Sequence, residues 1–369
     1  MTTNERLHIG VMGAGAIGGY VGARLAAKGA TEVTLIGRKA LADTIARHGV
    51  TLRELDHDAH VDPAMVRIEE DVHALSSCDV VFCCVKSGAT AETAKILANV
   101  LEPTTVVVSL QNGLRNPEVL RAALPRNPVL PAVVSFNVMI EEGAVFHRTI
   151  SGPLIIETRP DRQDQAWVDA LRASGLEVEE VRPIAPEQWT KLLLNLNNAV
   201  GALSGAPTRE MILSPQYRRV IAKLLDEALD VLHEAGIKPA KFHGVPLRLM
   251  SFILKLPTPI VRPVIRAQLR VDPEARVSMW TDLERRRPTE VDFLNGEIVR
   301  LADEHGTTAP INRRIVELVH EAERASAGSP QMSADTLLRS LEEGPSSSTQ
   351  PGAHLDQSTK SERQGKWNP

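Results

Sequence analysis

The run Gly13-Ala14-Gly15-Ala16-Ile17-Gly18, placed directly behind the apolar stretch Leu7-His8-Ile9-Gly10-Val11-Met12, constrains this chain more than any other feature. A strand that feeds a glycine-rich turn and then a helix builds a pyrophosphate site. Gly13 permits the tight turn, Gly15 lets the backbone approach the phosphates, and Gly18 lets the helix pack close against the strand. Unpaired amides at the start of that helix, Ala16 to Lys28, present the positive end of its dipole to the same point. The order of strand, turn and helix implies a dinucleotide site at the N-terminus. At the end of the second strand, Glu32-Val33-Thr34-Leu35-Ile36, a NAD-binding chain usually carries an acid for the ribose hydroxyls, whereas this chain carries Gly37-Arg38-Lys39. An acid would repel a 2'-phosphate, but Arg38 can pair with one through two hydrogen bonds and Lys39 adds a second charge. The expected cofactor is NADP(H).

Strands and helices alternate from residue 7 to about 182, with β-rich apolar runs at 79–85, 104–110, 128–139 and 176–181. That pattern predicts an α/β fold, with a Rossmann-type, mostly parallel sheet over residues 1–182. A single long helix is predicted from Pro186 through Leu203, ending near Gly205, with further helical segments at 215–236, 274–286 and 288–304. Residues 183–327 therefore read as an all-helical second domain. The proline-interrupted basic stretch 239–271 reads as ordinary helical packing, with a lid or subunit contact and a membrane-surface helix as its alternatives. Residues 328–369 are rich in Ser, Gly, Gln and Pro and read as a disordered tail, with a brief helix near Met332 to Glu343.

The 369 residues carry a net charge of −4, so no basic excess points to nucleic acid. Two of the three cysteines, Cys83 and Cys84, lie inside an apolar strand, and Cys78 is close by, which supports buried thiols rather than a disulfide framework or a zinc site. No signal-peptide layout and no membrane-spanning apolar run is present, so the expected location is the cytoplasm.

Reduction of a carbonyl by a nicotinamide needs a group that protonates or stabilises the oxygen as it gains charge. Lys191, Asn195 and Asn198 recur at i, i+4 and i+7 on an otherwise apolar helix, which predicts an ammonium and two amides on one face. A solvent-exposed polar stripe is the alternative at this point.

Taken together, the glycine run, Val85-Lys86-Ser87, Gln111-Asn112-Gly113, Trp189-Thr190-Lys191-Leu192-Leu193-Leu194-Asn195, Ser278-Met279 and Thr289-Glu290-Val291-Asp292-Phe293-Leu294-Asn295-Gly296 resemble the ketopantoate reductase (2-dehydropantoate 2-reductase) family. The resemblance spans about residues 7 to 320. It implies an NADPH-dependent reduction of 2-dehydropantoate to D-pantoate on the route to pantothenate. It further implies Lys191 as general acid, Glu290 as the carboxylate that holds this lysine, and Asn112 at nicotinamide and substrate. Lys86 would lie at the cofactor, and Asn195 and Ser278 would grip the substrate's hydroxyl and carboxylate, with Asn198 beside them. Asp282 also matches the pattern, to orient Ser278 or to pair with Arg286. The chain departs from the family where many members carry an asparagine eight residues after the lysine. Ala199 stands there and Asn198 one place earlier, about 100° around the helix. A relative acting on another 2-oxo acid, and a non-catalytic NADPH sensor, are the alternatives. A small 2-oxo acid is the expected partner, with no nucleic acid and no membrane, and a homodimer is compatible with the sequence.

Overall fold

The computed structural model describes residues 6–342 apart from 30, 55, 162 and 263–274. The first apolar run forms β1 (His8–Met12), buried along its whole length, and the glycine turn leads into α1 (Ala16–Ala26). The order then continues with β2 (Glu32–Ile36), α2 (Lys39–His48), β3 (Val50–Arg53), β4 (Asp58–Val61), β5 (Arg67–Glu69), β6 (Val80–Cys83), α3 (Thr90–Val100), β7 (Val106–Ser109) and α4 (Asn116–Ala123). After these come β8 (Val129–Val134), β9 (Asn137–Glu141), β10 (Val145–Ile150), β11 (Leu154–Ile156), α5 (Gln165–Ala173) and β12 (Val178–Glu180).

Eight strands form one sheet in the order β12-β11-β8-β7-β6-β1-β2-β5, parallel except where β11 meets β8. The fold is α/β, as its sequence pattern predicts. β2 and β6 flank β1 on opposite sides, so the strand order reverses there and opens a crevice at the carboxyl ends of β1 and β6. Buried Val80, Val81, Phe82 and Cys83 fill β6, the uninterrupted apolar pattern of a strand covered on both faces.

A second, four-stranded sheet in the order β4-β3-β10-β9 was not legible as such, and the run 128–139 is divided between the two sheets. Its strands are short and carry polar residues, which weakens the alternation. It packs on α1 through Phe146, close enough that a Cβ on Gly19 would lie 2.3 Å from the ring. Buried Glu54 fastens the two together, accepting from Tyr20 Oη at 2.7 Å and pairing with Arg24 and Arg148.

The helical part comprises α6 (Ala185–Asn195), α7 (Asn197–Ser204), α8 (Thr208–Leu213), α9 (Pro215–Glu234), α10 (Leu247–Leu254), α11 (Ser278–Glu284), α12 (Asn295–Glu304), α13 (Pro310–Ala325) and α14 (Ala334–Glu342). The expected single helix over 186–203 is two helices. Leu196 N bonds the carbonyl three residues back, Leu193 O at 3.4 Å, and fully buried Asn295 donates to Leu196 O at 3.4 Å. The segment 288–304 likewise starts its α-helix only at Asn295, after a short 3-10 turn at Val291–Phe293. Within 239–262, α10 lies on α9, held by Arg248–Asp230 and Lys255–Asp226 ion pairs. Fully buried Arg218 donates to the carbonyls of Ile212, Leu213, Leu254 and Leu256 and so fixes the ends of α8 and α10. Residues 263–271 of the proline-rich stretch lie outside the described residues.

The expectation of a disordered tail from residue 328 is corrected as far as residue 342, and the brief helix expected near Met332 to Glu343 is present as α14, Ala334–Glu342. Met332 N donates to Leu203 O at 2.8 Å, Ser333 Oγ accepts the Thr336 amide at 3.2 Å to cap α14, and Leu337 and Leu341 are buried. Two leucines spaced one turn apart supply the apolar stripe that the polar composition hides. Residues 343–369 lie outside the described residues. Among the described residues no helix is long and apolar enough to cross a membrane. Because α14 closes the core between α9 and α13, Leu337→Ala is expected to cost about 2–5 kcal/mol. Chemical denaturation checks this, and an unchanged midpoint would show that the helix is dispensable.

Candidate active site

Each glycine of the N-terminal turn has a local reason to be glycine. Gly13 adopts φ +102°, a conformation L side chains rarely take, and the amides of Gly13 and Ala14 both donate to Ile36 O, at 3.2 and 2.8 Å. A Cβ on Gly18 would lie 2.2 Å from Gly13 O and 2.9 Å from Val11, whereas one on Gly15 would meet nothing within 4 Å. Gly15 therefore leaves open space in front of the backbone, and no side chain caps α1 there. Ala16 and Ile17 open that helix with their amides directed at the space, so the cradle fits a pyrophosphate. At the end of β2, Arg38 is exposed at the start of α2 and makes no ion pair among the described residues, while Lys39 is paired with Asp43 at 3.2 Å.

The helical part reaches this edge of the sheet through Glu290. Its Oε1 accepts from Ser87 N at 3.1 Å and Ser87 Oγ at 3.0 Å, just past β6, and its Oε2 accepts from Asn112 Nδ2 at 3.1 Å, just past β7. Asn112 Oδ1 in turn accepts from Asn195 Nδ2 on α6 at 3.4 Å. Beneath them Gln111 Nε2 donates to Val85 O and Thr90 Oγ1, at 2.9 and 2.7 Å, and Thr90 Oγ1 donates to Asn116 Oδ1 at 2.8 Å. Asn116 Nδ2 closes the network on Ser87 Oγ at 3.1 Å. A second link is the ion pair of Lys86 with Asp282 on α11. Desolvation raises the Asp282 pKa, and Lys86 opposes that rise.

A cleft lies above this network, lined by Asn112, Gly113, Gln188, Lys191, Asn195 and the Ala132–Val134 edge of β8. Lys191 projects from α6 into it, partly buried. Loss of water lowers its ammonium from 10.5 to about 8, and no carboxylate opposes the shift.

The structure thus brings Lys191, Asn195, Asn112 and Glu290 into one junction but corrects the expected pairing. Glu290 does not hold Lys191; its oxygens are taken by Ser87 and Asn112, whose donors converge on the turn before Val291. Asn198 lies past the helix break at Leu196 and is not among the residues lining the cleft, whose α6 face is Gln188, Lys191 and Asn195. Ser278 is exposed at the start of α11, and Asp282 one turn on pairs with Lys86, not Arg286. Ser87, Asn116 and Gln188 were not anticipated as site residues. Of these, Ser87 lies within the Val85-Lys86-Ser87 run and Gln188 is spaced i−3 from Lys191. Burial pushes the Cys78 and Cys83 thiols up to about 12 and raises that of Cys84, so none is a nucleophile near neutrality. Among the described residues no group of His, Cys, Asp and Glu could hold a metal.

A glycine-rich cradle at the switch point of a parallel sheet, closed by a helical domain that presents a lysine and amides, defines a two-domain oxidoreductase. Residues 9–161 match the ketopantoate reductase PanE/ApbA family profile and residues 183–323 match its C-terminal profile, so the chain belongs to that family of NAD(P)-dependent enzymes. It is 27% identical over 322 residues to a 2-dehydropantoate 2-reductase of Halobacterium salinarum, covering 86% of this chain and 99% of that one. A counterpart from Archaeoglobus fulgidus is 28% identical over 323 residues, covering 85% and 97%. Among solved structures, a PanE/ApbA family ketopantoate reductase from Ralstonia eutropha JMP134 superposes with a TM-score of 0.73 at 28% identity, covering 87% and 99%. A D-mandelate dehydrogenase shares the fold with a TM-score of 0.70 at 19% identity, covering 87% and 99%.

Proposed function

We propose that this protein uses NADPH to reduce a 2-oxo acid, with 2-dehydropantoate, reduced to D-pantoate, as the substrate. The observation that carries this reading is Lys191, a desolvated ammonium with a pKa lowered to about 8, facing the Asn112 loop at the end of β7. The Gly13–Gly18 cradle, with Lys86 nearby, would hold NADPH, whose nicotinamide would supply a hydride. Lys191 Nζ hydrogen-bonds the substrate's ketone oxygen and gives it a proton as negative charge develops there. A lysine of ordinary basicity holds its proton too firmly near neutrality, and one lowered to about 8 transfers it more readily. Asn112 and Asn195 orient the substrate, and Ser278 and Asn198, outside the lining of the cleft, are left without a part in this reading. Glu290 acts through Asn112 as a positioning residue.

The choice of NADPH over NADH rests on Arg38, whose guanidinium is not engaged by an acid among the described residues, and on the neutral Gly37 that precedes it. Lys39 adds charge but is shared with Asp43. Charge-assisted hydrogen bonds contribute about 1.5–3 kcal/mol, so Arg38→Ala is expected to weaken NADPH binding roughly 10- to 100-fold and to leave NADH binding nearly unchanged. Titration with both cofactors measures this; equal affinity of the parent for the two would remove the NADPH assignment.

Turnover tests the chemistry. Lys191→Ala is expected to lower kcat by about 10²- to 10⁴-fold with little change in NADPH affinity, because its work is confined to the transition state. The assay is NADPH oxidation with 2-dehydropantoate, extended to aryl 2-oxo acids, 3-oxo acids and imines because fold alone does not fix the substrate. Parent-like turnover by Lys191→Ala would make the lysine structural, and NADPH binding without oxidation of any substrate would favour a sensor.

A further inference from the structure

We propose that Asn116 is a positioning residue for the reduction, acting through Asn112: from beneath the sheet edge it fixes the carbonyl of Asn112 and the direction in which the Ser87 hydroxyl donates. The inference rests on the reductase reading and adds to it a buried residue outside the cleft. The main chain from Gln111 to Leu114 makes no backbone-to-backbone hydrogen bond among the described residues, so the segment that carries Asn112 is held by side chains. Two of them reach the Asn112 carbonyl, Asn116 Nδ2 at 2.5 Å and Ser87 Oγ at 2.8 Å. Asn116 opens α4 and is buried. Glu290 and Asn195, which hold the Asn112 side chain, come from the helical part, whereas Asn116 comes from the same sheet as the loop it fixes.

The network beneath the site runs in one direction. Val85 O can only accept, so the Gln111 atom against it at 2.9 Å is the amide nitrogen, and the same nitrogen donates to Thr90 Oγ1 at 2.7 Å. Gln111 Oε1 is taken by Ser109 Oγ at 3.0 Å. Thr90 Oγ1 therefore gives its own proton to Asn116 Oδ1, at 2.8 Å. That leaves the Asn116 nitrogen facing Asn112 O and Ser87 Oγ, the latter at 3.1 Å. Ser87 has one proton and two acceptors within reach, Asn112 O and Glu290 Oε1. With Asn116 already on the Asn112 carbonyl, that proton goes to the carboxylate, whose charge makes it the stronger acceptor. Ser87, Thr90, Gln111 and Asn116 are all buried, so a group of the wrong polarity at 116 has no water to turn to. The position calls for a side chain that accepts once and donates twice; asparagine does both, and aspartate and leucine do not.

The test compares the full-length parent with Asn116→Asp, which keeps the shape and removes the donors, and Asn116→Leu, which removes donors and acceptor, each also made on an Asn112→Ala background. In the parent background both replacements should lower kcat/KM for 2-dehydropantoate by about 10- to 100-fold, the cost of a loosened orienting group, while NADPH affinity changes little. On the Asn112→Ala background the same replacements should cost less than about twofold, because residues that act as a unit do not add their losses. A purely structural fault would instead repeat in full there. Losses that add, or near-parental turnover by either replacement in the parent background, would overturn the role of Asn116 while leaving the reductase reading standing. Failure of the parent to oxidise NADPH with 2-dehydropantoate or another 2-oxo acid would overturn both.

Discussion

A carboxylate brought into a domain junction has to find donors, and where Glu290 finds them decides the arrangement of everything around it. Three donors, Ser87 N, Ser87 Oγ and Asn112 Nδ2, come from the loops after β6 and β7 and meet a residue about 200 positions later in the chain. Charge-assisted bonds of this kind are about twice as strong as neutral ones, so the helical part is anchored to the sheet at the edge where an open α/β sheet binds its ligands. The Lys86–Asp282 pair adds a second tie beside it. With Glu290 satisfied in this way, Lys191 has no counter-charge, and desolvation alone sets its pKa.

The same constraint accounts for the shape of the cleft. α6 has to end where Asn195 can reach Asn112, and it does so because the chain tightens at Leu196, where Asn295 adds its donor. Asn295 is itself held by Asn312, and Asn312 by Glu227, which also accepts the first amides of α13. A buried polar chain thus connects the body of the helical domain to the point at which the lysine helix stops. Buried networks of this kind rigidify the parts they join and favour one geometry.

What the sequence made legible was local. The glycine turn, the strands β1, β6 and β7 and the start of α6 at Pro186 each depend on residues within a few positions, and their periodicity and turn chemistry are read directly. Lys191, Asn195, Asn112 and Glu290 were also legible, but their partners were not: the resemblance pairs Glu290 with Lys191, whereas the carboxylate turns to Ser87 and Asn112. The break at Leu196 carries no Gly or Pro in a leucine-rich run, since its cause lies 99 residues away in Asn295. The brief helix that became α14 was legible, but its docking through Leu337 and Leu341 was not, and in the small sheet, polar strands too short to show an alternation became ordered by packing on α1. Long-range satisfaction of polar groups is what one sequence alone does not display.

Lys191 is held as an unpaired, desolvated ammonium, and the pH dependence of stability measures this directly for the parent and Lys191→Met. A lysine whose folded pKa falls from 10.5 to about 8 destabilises the native state below about 8, and the penalty fades as pH rises toward 10.5, where the unfolded chain also loses the proton. Lys191→Met should therefore be more stable than the parent by about 1–3 kcal/mol at neutral pH, with the gap narrowing between about pH 8 and 10. If Lys191→Met is instead less stable at neutral pH, with no narrowing, the lysine is ion-paired in the folded protein and is not a desolvated, unpaired ammonium.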